Sequence, residues 1–330
     1  MTAHTAEVGE SRRQGAAVDV SVILVNYNTA HLLGRCLDAL RSATRDLSLQ
    51  VVLVDNASHD GSADVVRRDF PEIQLIESGA NVGFGRANNL ALARCTGRYI
   101  LLLNTDAFVE ETTVVAAVRR IDKDAGVGIV GVRLIGSDGS QQPSCRYFPT
   151  PLNLFLQKTG LDRWSGRVRG VDDLHWNPDL DAECDWVPGC FLMIRRSIVD
   201  SIGLFDPRYF LYCEEVDLCR RVKAAGWKVS YLAAVRAVHI GGESAKSDGE
   251  ISKTGRQLPP LQIESQLLYF RKHHGLAGVA LHLVLECVAT VALFVKRSMR
   301  AQRNAYQPFA ELRLTWRLAL RTGGGRTPTR

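Results

Sequence analysis

Apolar and polar positions along the chain fall into short blocks that alternate between two periods. Val20-Ser-Val-Ile-Leu-Val25 is a compact apolar run, after which Leu32, Leu33, Cys36, Leu37 and Leu40 recur at steps of three and four. The first predicts a buried strand and the second the inward face of an amphipathic helix. The alternation continues with strands at Gln50–Val54, Ile73–Glu77, Arg98–Leu103 and Gly128–Val132. Between them lie helical patterns over about 62–69, within 81–95 and over about 111–121. Strands that alternate with helices predict an α/β, Rossmann-like, mostly parallel sheet with helices on both faces. Ligands of such sheets bind beyond the strand carboxyl ends. Asn26, Asp55, Asn104 and Asp106 stand at those ends.

Beyond residue 135 the pattern loosens. Residues 136–183 hold turns, four prolines (143, 149, 151, 178), Trp164 and Trp176, and predict little regular structure. Cys184–Arg195 reads as a strand, Glu214–Ala225 as a helix closed by Gly226, and Trp227–Leu232 and Val235–His239 as two more strands. Gly241–Gln257 is polar and glycine-bearing, which predicts mobility; Leu261–His274 reads as a helix. Leu276–Val295 is mostly apolar and, at about twenty residues, long enough to reach across a bilayer core. His282 and Glu286 near its middle disfavour a simple crossing. These breaks divide the chain into a disordered leader (1–19), a first half (20–135), a second half (136–258) and C-terminal helices with a basic tail (259–330).

Composition narrows the classes. A hydrophobic share of 46% excludes wholesale disorder, collagen and coiled coil. The eight cysteines form no Cys-x-x-Cys pair, which speaks against a disulfide scaffold or a structural zinc site. Residues 1–19 are polar, without the apolar stretch of a secretory signal, so a reducing cytoplasm is expected. The net charge of +6 is unevenly spread: residues 275–330 carry nine Lys/Arg against Glu286 and Glu311, which leaves the first 274 residues near neutral. A nucleic-acid enzyme would carry its cations around its cleft. A basic tail beside an apolar stretch instead predicts peripheral contact of 276–330 with an anionic membrane surface. A helix buried in the fold or in a homodimer interface is the alternative.

Several clusters could carry chemistry. Asp106, in Asn104-Thr-Asp106 at a strand end, suits a hard cation such as Mg2+ or Mn2+, or caps the next helix. Asp55 could accept from a base imide or a ribose hydroxyl, or close an Asx turn, while Asp60 is the better helix cap. The loop Asn81-Val-Gly83-Phe-Gly85-Arg86-Ala-Asn88-Asn89 lets backbone approach a ligand, and Arg86 offers a planar donor fork. Its spacing is not a dinucleotide fingerprint, which disfavours a dehydrogenase. Glu214, Glu215 and Asp217 crowd the start of one helix, where the macrodipole favours them, but at least one carboxylate should point inward as a candidate base. His239 gains meaning only beside a metal-binding Asp106.

In series, these segments resemble the family 2 glycosyltransferases, in particular bacterial rhamnosyltransferase-like members. The matching stretches are Val22-Ile-Leu-Val-Asn26-Tyr-Asn28, Val54-Asp55-Asn-Ala-Ser-His-Asp60, Asn81 to Asn89, Leu103 to Asp106, Val187-Pro-Gly189 to Arg196, Phe205 to Leu218, and His239 with Gly241-Gly242. The resemblance spans residues 20 to about 275. It implies a GT-A fold with a C-terminal helical extension and an inverting sugar transfer from a nucleotide diphosphate donor. It also implies roles: Asp55 and Arg86 hold the pyrimidine, with Asn26, Asn28, Asn81, Gly83 and Asn104 around the nucleotide. Asp106, aided by His239, holds Mg2+ or Mn2+; Glu215 is the base, with Glu214 beside it and Asp217 as substitute; Trp186, Gly189 and Cys190 line the donor and acceptor sites. Asn104 and Glu215 both stand where many relatives carry Asp. The implied donor is dTDP-rhamnose, with UDP-hexoses as the alternative. The implied acceptor is a glycan or polyprenyl-linked intermediate of cell-envelope polysaccharide, met at the inner face of the cell membrane. A nucleotidyltransferase, or a sugar-nucleotide-binding protein without activity, are the competing classes.

Overall fold

The computed structural model describes residues 17–44, 46–162, 170–172, 176–243, 259–299 and 308–330. Most of the expected leader, Trp164 and most of the expected mobile segment after Gly241 lie outside the described residues.

The first half follows the expected alternation: β1 (Val20–Asn26), α1 (Ala30–Ala43), β2 (Leu49–Asp55), α2 (Ser62–Asp69), β3 (Gln74–Glu77), α3 (Phe84–Leu92) and β4 (Tyr99–Asn104). A short β5 (Ala107–Val109), α4 (Thr113–Lys123) and β6 (Val127–Ile135) complete it. Strands β3, β2, β1 and β4 are parallel neighbours, and the β1–β2 register pairs Asn26 with Asp55. Period-two alternation builds two cores. Ile23, Ile100 and Leu102 face one side with α3, whereas Val22, Leu24, Leu101 and Leu103 face the other with α1 and α4. Burying each such side chain is worth about 1.5–3 kcal/mol.

The second half contributes β7 (Gln141–Gln142), α5 (Pro151–Thr159), β8 (Ala182–Cys184), β9 (Phe191–Arg195), α6 (Arg196–Ile202), α7 (Glu214–Ala224) and β10 (Lys228–His239). Here the sheet departs from the expected parallel order. β9 inserts between β4 and β6, antiparallel to both, and β10 runs parallel to β6 but antiparallel to β5. One ten-stranded mixed sheet results. The expected single strand 184–195 is two strands broken by the turn at Pro188-Gly189. The two strands expected over 227–239 are one strand whose pairing to β6 shifts between Leu232 and Arg236. In the stretch expected to be irregular, α5 forms because Thr150 and Asn153 close a reciprocal capping box around Pro151.

Two further helices are α8 (Pro259–Met299), kinked at Gly275 (φ 67°, ψ −168°), and α9 (Pro308–Arg321). The first part of α8 belongs to the core, with Leu267, Tyr269 and Phe270 fully buried. Among the described residues, only the stretch Pro259–Lys296 is long and apolar enough to cross a membrane by length and composition.

Candidate active site

The parallel strand ends β1 and β2 and the loop after them form a polar web. Asn26, fully buried, donates from Nδ2 to Asp55 Oδ1 (3.0 Å) and Ser58 Oγ (2.9 Å), and its Oδ1 accepts from Thr29 (2.6 Å). Asp55 Oδ2 accepts from the Ser58 amide (3.0 Å), and Asn28 Oδ1 from the His59 amide (2.7 Å). Asp60 caps two helices at once, accepting from the Ala30 amide (2.8 Å) and the Ser62 amide (3.1 Å). Asn26 and the Asn28 side-chain oxygen thus hold this loop in place. Asp55 keeps spare acceptor capacity, since each carboxylate oxygen takes more than one bond.

The glycine loop is fixed just as firmly. Asn81 Oδ1 accepts from Gly83 N (3.1 Å) and Asn56 Nδ2 (2.9 Å), and Phe84 N donates to Phe210 O (2.8 Å). Gly83 has φ +85°, and a Cβ there would lie 2.4 Å from Phe210 O, so only glycine fits. Asp55 and Arg86, expected together around one base, have separate protein partners. Arg86 donates to the carbonyls of Pro207 (2.8 Å) and Arg330 (3.3 Å), whereas Asp55 is engaged by Asn26 and Ser58. The sequence offered no direction for a guanidinium on a long flexible stem.

Asp106 is buried at the turn between β4 and β5 and caps no helix. The antiparallel pairing of β5 with β10 sets His239 opposite Ala107, which brings His239 Nε2 to 3.6 Å from Asp106 Oδ1. Gly241 N donates to Asp106 Oδ2 (3.1 Å). Gln142 grips His239 from both sides, Nε2 donating to its carbonyl (2.8 Å) and Oε1 lying 2.9 Å from Nδ1. Burial alone would lower the imidazole pKa, but the adjoining Cys190 sulfur and Asp106 carboxylate raise it to about 9. Gln142 carried no signal in the sequence, because its partner stands 97 positions away.

The helix α7 starts abruptly. Tyr212 (φ 71°) and Cys213 (φ 66°) are consecutive left-handed non-glycine residues, each costing about 1–3 kcal/mol. That strain sets Glu214 and Glu215 at the first turn. Glu214 is buried against Gly85, Glu215 is half-buried, and the Oε2 of each has no hydrogen-bond partner. Burial, and for Glu214 also the charge of Glu215, pushes both carboxyls above the ordinary glutamate range. Arg146, stacked 4.0 Å over the Trp186 ring and paired with Asp172, pulls Glu215 partly back down. Nothing in the spacing along the chain pointed to this arginine.

Asp217 does not join them. Its carboxylate is fully buried and bound by Lys272 (2.6 Å), His273 (2.7 Å) and Arg221 (2.8 Å). Burial alone would raise it, but these donors hold it below the usual carboxylate range. Asp217, expected as the substitute base, ties α7 to α8.

The Gly189-Cys190 turn connects the two carboxylate groups. Cys190 O accepts from Asn104 N (3.2 Å) and its sulfur adjoins His239, while a Cβ on Gly189 would stand 3.8 Å from Glu215 Cβ. Trp186 donates from Nε1 to Tyr147 O (2.8 Å) beside this turn. A surface hollow of about 550 Å3 between α1 and α4 holds none of these residues.

The model of Glycosyl transferase family 2 matches residues 21–203, more than half of the chain. The chain belongs to this family. Its relatives include the N-acetylglucosaminyl-diphospho-decaprenol L-rhamnosyltransferase of Mycobacterium tuberculosis, 28% identical over 240 residues, covering 69% of this chain and 78% of that protein. The rhamnosyltransferase WbbL of Escherichia coli is 26% identical over 179 residues, 52% of this chain and 65% of WbbL. Among solved structures, GalNAc-T7 with UDP, GalNAc and Mn2+ superposes with TM-score 0.54 at 14% identity, over 78% of this chain and 48% of that one. The mannosyltransferase PcManGT of Pyrobaculum calidifontis, with GDP-Man and Mn2+, gives 0.50 at 18% identity, over 93% and 87%. The family 2 chain thus has a GT-A fold with a C-terminal helical extension, and it is a glycosyltransferase.

Proposed function

We propose that this glycosyltransferase moves a sugar, L-rhamnose from dTDP-rhamnose in the first instance, onto a glycan or polyprenyl-linked acceptor with inversion at the anomeric carbon. The carrying observation is the Gly189-Cys190 turn, which adjoins the Asp106–His239 pair on one side and Glu215 on the other. The M. tuberculosis and E. coli relatives support rhamnose and, for the former, a lipid-diphosphate acceptor. A UDP-hexose is the competing donor. The acceptor would place the reaction in cell-envelope polysaccharide synthesis at the inner face of the membrane.

The residues suit a divalent cation held jointly with substrate. Asp106 and His239 offer one carboxylate and one imidazole, and Asn104 Oδ1 is buried without a partner. No cluster of three or more His, Cys, Asp or Glu occurs among the described residues, so the remaining ligands would be diphosphate oxygens. A bound Mg2+ or Mn2+ there would supply positive charge to the departing diphosphate. Glu215, the more open of the two glutamates, takes the proton of the acceptor hydroxyl as its oxygen bonds the anomeric carbon and the nucleoside diphosphate leaves from the other face. A carboxyl raised by burial is a stronger base than a solvated one, and such assistance is worth about 10²–10⁴-fold. Glu214 lies beside it, its carboxyl raised by burial and by the charge of Glu215.

The test is nucleoside diphosphate release by the full chain given dTDP-rhamnose or UDP-hexoses, Mn2+ and a synthetic lipid-diphosphate acceptor. Glu215→Gln is expected to lower kcat by about 10²–10⁴-fold at unchanged donor affinity. Near-normal turnover of E215Q would remove Glu215 as the base. Pyrophosphate release would indicate a nucleotidyltransferase instead.

A further inference from the structure

Beyond Gly275, α8 is apolar on its outward face. Its buried side carries His282, Glu286 and Thr290 among Val279, Leu283 and Ala289, while its outward side carries Leu276, Leu281, Val284, Val288, Val291 and Phe294, each roughly half exposed or more. No charged side chain interrupts that outward stripe from Leu276 to Val295. The buried polar groups have partners: Lys158 of α5 reaches Glu286 (2.5 Å) and Glu311 of α9 (3.0 Å), and His282 lies 4.9 Å from the Phe270 ring. A helix facing water would carry polar residues on its outward face. An apolar stripe of some 30 Å, at about 1.5 Å per residue, is more than scattered surface leucines produce.

The stripe continues onto α9 through the Phe294–Phe309 ring contact (5.4 Å). The exposed positions of α9 interleave Phe309, Trp316 and Leu320 with Arg313, Arg317 and Arg321. Lys296 closes the stripe on α8. Cations bordering an apolar face complement anionic headgroups above hydrocarbon. The same cations argue against a crossing, since α9 packs along α8 and its arginines, with the Lys158–Glu286–Glu311 cluster, would be carried into the bilayer core. They argue against a two-fold pairing of this face as well, because like charges would meet.

We propose that the outward face of α8 beyond Gly275, together with α9, docks flat on one leaflet of an anionic membrane. This deepens the membrane placement offered above and does not depend on which sugar is transferred. The first part of α8 also holds Asp217 through Lys272 and His273, so the docked helix is continuous with the clamp on the glutamate-bearing α7. The cleft would thereby keep a set orientation toward a lipid-linked acceptor.

The experiment is flotation of the full chain with vesicles of phosphatidylcholine alone or mixed with phosphatidylglycerol, at low and high salt. Binding to the anionic vesicles is expected, reduced ten-fold or more by high salt, by omission of phosphatidylglycerol, or by Val284→Asp with Val288→Asp. Both valines are exposed, so the double variant should keep the fold and its turnover of a water-soluble acceptor analogue. Absence of binding, or equal binding by the double variant, overturns the proposal; so does a stable dimer that the double variant splits. Resistance to alkaline carbonate extraction from cell membranes would overturn flat docking in favour of a crossing. Turnover measured on the same samples separates this outcome from failure of the transfer reading.

Discussion

Asp217→Asn is expected to weaken the fold severely without touching the donor site. The wild-type carboxylate is fully buried and bound by Lys272, His273 and Arg221 at 2.6–2.8 Å. Removing one member of a buried ion pair costs about 3–5 kcal/mol, because the partners lose their counter-charge without regaining water. Lys272 keeps Asp206 at 2.8 Å and Arg221 keeps the Ile202 carbonyl at 2.8 Å, which moves the expectation to the low end, about 3 kcal/mol. The Asp217 pKa is depressed in the folded state, so its contribution is present above the unfolded value of about 3.9 and fades as pH falls through the lower folded value. Urea unfolding followed by tryptophan fluorescence at pH 7 and near pH 3 measures both points. The gap between wild type and D217N should be about 3 kcal/mol at neutral pH and should shrink in acid. A gap below about 1 kcal/mol at pH 7, the range of an exposed pair, would refute the reasoning. A gap that widens in acid would refute its sign.

Gly83→Ala should cost about 2–6 kcal/mol, combining strain at φ +85° with a 2.4 Å clash on Phe210 O, read as a lowered urea midpoint. Glu214→Gln should do the reverse at neutral pH. Its raised carboxyl favours the folded state below the unfolded value of about 4.3 and loses that advantage as pH rises, so E214Q should be the more stable protein at pH 7 and equal to wild type near pH 4. Asp106→Asn should remove the Mn2+-dependent part of nucleoside diphosphate affinity, by about ten-fold or more, in a thermal-shift titration. Equal Mn2+ dependence in D106N would place the cation elsewhere.

The first half of the fold was readable because its information is local. Period two and period 3.6 alternate cleanly from Val20 to Leu103, and each strand end carries its polar residue with it. The antiparallel insertion of β9 was not readable, since a strand run looks the same whichever neighbour it pairs with. α5 was hidden by flanking prolines until its Thr150–Asn153 box was seen closed. In the site, Asp106, His239 and the two glutamates could be named from their motifs, but their grouping could not. The Asp106–His239 approach depends on β5 pairing with β10, a contact between distant segments.

Residue type and spacing along the chain were enough to establish the family, the strand-end carboxylates and the apolar length of α8. Direction came only with packing. Only packing shows that Arg86 donates to the Pro207 carbonyl and that Asp217 is bound by Lys272 and His273. In α8 the chain shows that apolar and polar groups share one helix, but only the placement of Lys158 decides that the charges face inward and the valines outward. The physical reason is common to all three: a side chain's chemistry is local, whereas the partner that neutralises it is supplied by segments remote in the chain.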